Sequence, residues 1–298
     1  MNNKNKYIIA LIGGDRRQEV IARELLSAGH KVRIYGLGKS SFEISGAEIC
    51  GKCEFAICGS DVVLLPLPIT KDGINVSMVE GDTVSLGEII SQSAQNGVKV
   101  VLGGMIPDEF ITMSATYGVK IVDFYKDEAL QRKNALPSAE GSLMIAMEHT
   151  DKTVFGMKAL VCGYGRIGKL LCQILSRLGA DVTVAVRRDE SLCETSMCGY
   201  SAIKTDNIED LSVAASNSDV IFNTVPHVIF NQSCIEKIYG SPLYVEIASS
   251  PGGIDVSCAR RKGLQIVFAP SLPGKYAPVN AGWYIFETVT DIIDRLDF

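Results

Sequence analysis

The sequence predicts an α/β protein made of two Rossmann-like domains, each a parallel sheet covered by helices. Three observations point there. Short β-branched runs alternate with helical stretches along the whole chain. The alternation restarts after residue 150, at Met157–Lys169, MKALVCGYGRIGK. In that segment a G-x-G-x-x-G turn stands between a strand run and a helix start.

The elements follow in order. Tyr7–Ile12 is an apolar strand run, ended by Gly13-Gly14 and followed by a helical pattern over Arg16–Ala28. Lys31–Tyr35, Val62–Leu65, Val98–Leu102 and Val119–Val122 read as further strands, with helices at Leu86–Gln95 and Asp108–Thr116 between them. Ser138–His149 reads as a largely buried crossover helix, its start marked by Ser138 and Gly141 and its end by His149-Thr150. The second half offers strands at Ala159–Cys162, Val182–Val186, Val220–Asn223, Leu243–Ile247 and Gln265–Phe268. After Pro278 comes a closing amphipathic helix, expected to return to the first domain. The expected division is a substrate domain at 1–137 plus 277–298 and an NADP-binding domain at 138–276, with 138–150 as crossover. A cleft between them is the expected ligand site.

Composition sets the outer bounds. The chain has 298 residues, 47% hydrophobic and 21% charged, with a formal net charge of −5. That is globular, and without a basic stripe it offers no footprint for nucleic acid. Its apolar runs are too short to span a bilayer. The N-terminal charge and apolar run end in Gly-Gly-Asp-Arg-Arg with no cleavage-site pattern, which reads as a first strand, not a signal peptide. Nine cysteines without framework spacing fit a reducing cytoplasm. Cys50, Cys53 and Cys58 lie close in sequence, but no fourth Cys or His is near, so free thiols are expected and no metal.

The glycine motif carries the first functional expectation. In Gly163-Tyr164-Gly165-Arg166-Ile167-Gly168 the glycines permit a tight turn and close approach to a pyrophosphate. The helix opening there supplies free N–H groups and partial positive charge. An NAD site carries Asp or Glu about twenty residues further on, to hold the ribose 2′-OH. Here the strand ends at Val186 and is followed by Arg187 and Arg188. Guanidinium groups suit a 2′-phosphate, which a carboxylate would repel. The expected cofactor is NADP, with NAD as the second candidate. Arg187 is the sharper choice, and Arg188 shares the phosphate or lies near the adenine. The competing reading leaves the arginines in solvent or paired with Asp189 and Glu190. Thr224, Val225 and Pro226 of NTVP end the next strand at the cofactor edge, and Ala248 of ASSPGG ends the one after.

Four segments in order resemble the family of dipicolinate synthase A subunits: Ile12–Gln18 (IGGDRRQ), Ala135–Lys169, Ile247–Asp255 (IASSPGGID) and Ala269–Pro278 (APSLPGKYAP). The resemblance covers nearly the whole chain. It implies oxidation of dihydrodipicolinate to pyridine-2,6-dicarboxylate with NADP+ as hydride acceptor. It further implies partnership with a flavoprotein-like B subunit, and the mother-cell cytoplasm of a sporulating bacterium as location. Assembly with further copies of the chain is left open. A D-2-hydroxyacid dehydrogenase is the nearest rival, but Ser249-Ser250 stand where that family has an arginine, and Ala269–Pro278 holds no His. A non-catalytic NADP sensor is the rival of a different class.

A planar dicarboxylate calls for cations and backbone N–H groups. Asp15, Arg16 and Gln18, after the first glycine turn, are candidates to bind it; the alternative makes Asp15 a helix cap, with Arg16 and especially Arg17 solvated. Gly252, Gly253, Gly274 and Lys275 are further substrate candidates. Ser138 and Glu140 are catalytic candidates on the crossover helix, with capping of its start as the alternative role for Glu140. His227 is a proton-relay candidate, and His149 is expected to face the helix dipole.

Overall fold

The computed structural model describes residues 6–38 and 43–296. The first five residues of the N-terminal segment, and the last two of the closing segment, lie outside the described residues. The chain forms two compact units, residues 1–133 with 277–298 and residues 134–276.

Unit 1 runs β1 (Ile8–Ile12), α1 (Arg16–Ser27), β2 (Lys31–Tyr35), β3 (Glu48–Ile49), α2 (Cys53–Ile57), β4 (Val62–Leu64), α3 (Leu86–Gln95), β5 (Val100–Gly103), α4 (Asp108–Thr116) and β6 (Ile121–Asp123). Its six strands lie in the order β3-β2-β1-β4-β5-β6, and all pair in parallel. The pleat sends Ile9 and Leu11 to one apolar layer and Ala10 and Ile12 to the other, so β1 is buried on both faces. The helix α5 (Glu128–His149) leads into unit 2.

Unit 2 repeats the plan with β7 (Lys158–Cys162), α6 (Arg166–Arg177), β8 (Asp181–Val186), α7 (Asp189–Met197), β9 (Ser201–Lys204), α8 (Ile208–Ser216), β10 (Val220–Asn223), α9 (Gln232–Glu236), β11 (Leu243–Glu246), α10 (Val256–Lys262), β12 (Ile266–Phe268) and α11 (Leu272–Tyr276). The order β12-β11-β10-β7-β8-β9 is again all parallel. Ala159 and Val161 face one core, Leu160 and Cys162 the other. The strand order reverses beside β7 here and beside β1 in unit 1, which makes each a topological switch point.

The last helix, α12 (Pro278–Arg295), packs on α1 and completes unit 1. Pro278 occupies its first turn, where a missing N–H is harmless. A Cβ on Gly282 would stand 2.7 Å from the Arg17 carbonyl oxygen, so the two helices meet at backbone distance. Ile285, Val289 and Ile293 then join Ile21 and Leu25 in one core.

One local expectation is corrected. The crossover helix does not start at Ser138 but ten residues earlier, at Glu128, and it carries Pro137 inside it. Ser138 and Ser142 sit in mid-helix and give their hydroxyls to the carbonyls of Asn134 and Ser138, so a capping residue type is used here for back-bonding. The LPGKY segment forms the helix α11. It packs on α5 at Gly141, where a Cβ would lie 2.9 Å from the Tyr276 ring.

Candidate functional site

In unit 2 the glycines of the turn after β7 have separate physical jobs. Gly163 has φ +95°, and a Cβ there would meet Thr224 Oγ1 at 2.4 Å. A Cβ on Gly168 would lie 2.1 Å from the Gly163 carbonyl oxygen, so only glycine lets α6 close on the strand. Gly165 is different: no heavy atom stands within 4 Å of its Cβ position, and it faces open space. It is the N-cap of α6 but gives no side-chain cap, and the first turn holds no acidic residue. The helix therefore presents uncapped N–H groups and its positive end at an open backbone surface, the arrangement that receives an anion.

A cleft of about 380 Å³ adjoins this turn. Tyr164, Gly165, Arg187, Arg188, Val225, Pro226 and His227 line it, with Ala185, Val186, Ser191, Thr205 and Ile229. Arg187 and Arg188 are exposed, and neither side chain has a hydrogen-bond or ion-pair partner among the described residues. Asp189 does not neutralise them, because its carboxylate pairs with Lys204 at 2.7 Å. Tyr164 packs edge-on to Tyr200 at 6.3 Å, with Lys169 Nζ 5.1 Å from its ring centroid. Burial and the neighbouring Cys198 push the Tyr164 hydroxyl well above its usual range, so it stays a neutral donor. Arg166 and Ile167 open α6 beside Gly165, Arg166 exposed and Ile167 half-buried.

The neighbouring strand ends are held by a buried polar network. Glu246, 4% exposed, accepts from Asn223 Nδ2 at 2.7 Å, Gly253 N at 2.8 Å, Ala248 N at 3.2 Å and the Tyr244 hydroxyl at 3.3 Å. Asn223 Nδ2 also donates to the Val225 carbonyl at 2.9 Å. One carboxylate thus ties together the ends of β10 and β11 and the loop after them. Asn223 and Glu246 escaped sequence reading, although each is the lone polar residue closing an apolar strand.

The structure brings the glycine turn, Arg187, Arg188, Val225, Pro226 and His227 to one cleft. Thr224 serves the turn instead: its hydroxyl donates to the Cys162 carbonyl at 2.8 Å and it backs Gly163. Gly252 and Gly253 do not offer N–H groups to a ligand. Both are buried, and their N–H groups go to the Ser249 carbonyl and to Glu246. Ala248 is half-buried and held the same way. Glu140 is exposed in mid-helix, far along α5 from its start, so its alternative role as a cap does not hold. Gly274 is half-buried, and Lys275 is exposed with its Nζ 4.8 Å from the Tyr276 ring centroid. His149 Nδ1 lies 3.0 Å from the Ile145 carbonyl oxygen at the end of α5.

At the first turn, in unit 1, Asp15 caps α1 by accepting from Arg17 N at 3.0 Å. Arg17 is not solvated, as its position in the chain suggested; it is 6% exposed. Its Nε and Nη2 grip the two Asp15 oxygens at 2.9 and 2.7 Å, and Nη2 also donates to the Leu67 carbonyl at 2.5 Å. Burial opposes ionisation of Asp15, but the bonds and charge of Arg17, aided by Lys71, hold its carboxyl below the usual value. Arg16 is exposed and Gln18 is buried. Cys50, Cys53 and Cys58 are free thiols, and burial raises Cys53 to about 12. Among the described residues no group of three or more His, Cys, Asp or Glu is placed to hold a metal, and no helix is long and apolar enough to cross a membrane.

Twin parallel sheets and an open, uncapped glycine turn define a two-domain protein of the Rossmann-like fold class. The transhydrogenase of Sinorhizobium meliloti shares that fold, with a TM-score of 0.66 over 93% of this chain and 88% of the other at 17% identity. The specific likeness is to the A subunit of dipicolinate synthase. Residues 8–125 match the family model for the N-terminal domain of that A subunit. The Bacillus subtilis A subunit is 28% identical over 97% of this chain and 96% of its own length. The solved A subunit of the Bacillus halodurans enzyme superposes with a TM-score of 0.85, at 25% identity, over 96% of this chain and 97% of the other.

Proposed function

We propose that the chain is the nicotinamide-dependent subunit of a dipicolinate synthase, oxidising dihydrodipicolinate to dipicolinate with NADP+. The observation that carries the reading is the unit 2 cleft, where an open Gly165 backbone and two unpaired arginines share one wall. End-to-end likeness to the Bacillus subtilis protein supports the substrate. The same likeness supports a flavoprotein-like B subunit, a role in spore formation, and the mother-cell cytoplasm as location.

The residues fit a dinucleotide. Gly163, Gly165 and Gly168 with the N–H groups of α6 would hold the pyrophosphate, flanked by Tyr164, Arg166 and Ile167. Arg187 would take the 2′-phosphate with Arg188 beside it. His227 lines the same wall, so its proposed role moves from proton relay to a donor near that phosphate. Val225 and Pro226 would pack on the ribose side, while Thr224 and Ala248 fix the strand ends from behind. A bound nicotinamide supplies a hydride acceptor at its C4. Loss of that hydride and one proton aromatises the ring, so the reaction asks the protein for orientation more than for a strong base. Arg16 and Gln18 in unit 1 are proposed carboxylate contacts; Lys275, beside Gly274 in unit 2, is a separate candidate. Asp15 acts through Arg17. Ser138 and Glu140 remain proposed catalytic candidates on α5.

The direct test supplies freshly made dihydrodipicolinate and NADP+ to the chain, with and without the B subunit, and follows pyridine dicarboxylate absorbance. NADP+-dependent product is expected. No product under either condition rules out the enzyme reading and favours the sensor.

A further inference from the structure

One wall of the unit 2 cleft has no regular structure of its own. Residues 224–229, after β10, form neither helix nor strand, and Val225, Pro226, His227 and Ile229 from this span line the cleft. Pro226, His227 and Val228 are exposed, so packing does not hold the middle of the span. Its shape is set at its two ends.

Both ends hang on one carboxylate. Asn223 and Glu246 are register partners that close β10 and β11. At the near end Asn223 brackets Val225: its Nδ2 donates to the Val225 carbonyl at 2.9 Å, and its Oδ1 accepts from Val225 N at 3.2 Å. Glu246 Oε1 accepts from the same Nδ2 at 2.7 Å, which fixes the plane of that amide. At the far end the Gly253 carbonyl accepts from Ile229 N at 3.0 Å and Phe230 N at 2.9 Å. Glu246 Oε2 in turn accepts from Gly253 N at 2.8 Å. Each carboxylate oxygen thus holds one end of the wall. The fit needs both glycines, since a Cβ on Gly252 would stand 2.9 Å from Glu246 Oε2 and one on Gly253 2.2 Å from Asn223 Nδ2.

The chemistry of the group matters as much as its place. Asn223 Nδ2, Ala248 N and Gly253 N can only donate, so both oxygens must accept, as a carboxylate does. Glutamine would turn its NH2 against one of these donors. Among the described residues no cation pairs with Glu246, which is 4% exposed. A buried charge without a counter-ion costs stability that an apolar strand end would not. A preformed wall, in return, spares a ligand the cost of ordering it.

We infer that Glu246 is a positioning residue of the dinucleotide cleft, setting the 225–229 wall through Asn223 at one end and Gly253 at the other. The inference rests on the proposed cofactor reading of this cleft. It adds that NADPH and NADH depend on the wall alike, whereas Arg187 and Arg188 are expected to matter for NADPH alone.

Fluorescence titration of the full chain with NADPH and with NADH, without substrate, tests it. Glu246→Gln and Asn223→Ala are each expected to weaken both cofactors about tenfold, the worth of one hydrogen bond. Asn223→Ala leaves Glu246 its bonds to Gly253, Ala248 and Tyr244, so it decides the matter even if Glu246→Gln does not fold. Val220→Ala, a cavity at the opposite end of β10, should lower stability in urea and leave both affinities unchanged. Unchanged affinity in Asn223→Ala, an equal loss in Val220→Ala, or a loss confined to NADPH overturns the inference. A wild type that binds neither cofactor removes the cofactor reading and the inference together. If no dipicolinate forms but Asn223→Ala still loses both cofactors, the reaction falls and the positioning role stands. If dipicolinate forms and Asn223→Ala binds normally, the reverse holds.

Discussion

The first turns of the two units are the same device put to opposite uses. Each follows the first strand of a parallel sheet, at its switch point, and each contains at least one glycine at positive φ: Gly13 and Gly14 in unit 1, Gly163 in unit 2. In unit 2 the turn ends at Gly165, open to space, and α6 starts with no side-chain cap. In unit 1 the turn is pressed by Ser77 and Met78, and Asp15 caps α1 with Arg17 locked onto it. A capped helix start has already spent its N–H groups and its dipole on a carboxylate of its own chain. An uncapped one keeps both for a ligand. Glycines after a strand are therefore not a nucleotide site until the space above them is known.

The comparison breaks most severely at Gly168. Gly168→Val puts a side chain against the Gly163 carbonyl, and NADPH affinity should fall about a hundredfold or more, read by nicotinamide fluorescence. Next come the two arginines proposed to select the cofactor. Arg187→Ala with Arg188→Ala should weaken NADPH by about ten- to a hundredfold, the loss of one or two charge-assisted contacts, and leave NADH unchanged. Equal losses for both cofactors would take the arginines away from the 2′-phosphate.

A smaller effect tests the closed turn. Arg17→Met should destabilise the protein by about 1–2 kcal/mol near neutral pH, measured by urea unfolding. The Asp15 carboxyl lies below its ordinary 3.8 in the folded chain. Its contribution is present above that value and fades as pH falls through the lowered folded one. The gap between wild type and variant should therefore narrow in acid. The smallest effect is expected from Met78→Ala, which thins the cover over Gly13 without removing the Ser77 carbonyl. NADPH stoichiometry should stay at one per chain.

Much of this plan was legible in the sequence. Periodicity marked most strands, since a strand buried on both faces reads as a short apolar run. Two-residue β3 and half-buried β9 carry too little apolar signal to stand out. The start of α5 was hidden because Ser138 and Gly141 read as its boundary, yet the helix begins at Glu128 and runs through Pro137 and both of them. Local spacing also revealed the glycine turn and the two arginines. Long-range pairing was not visible: Arg17 with Leu67 and Glu246 closing on Gly253 join residues separated by loops that no periodicity reports.

The most direct measurement is calorimetric titration of the wild-type chain with NADP+ and with NAD+. One NADP+ per chain, bound at least tenfold more tightly than NAD+, is what an open unit 2 and a filled unit 1 require. Two sites per chain, or equal affinity for the two cofactors, would contradict it.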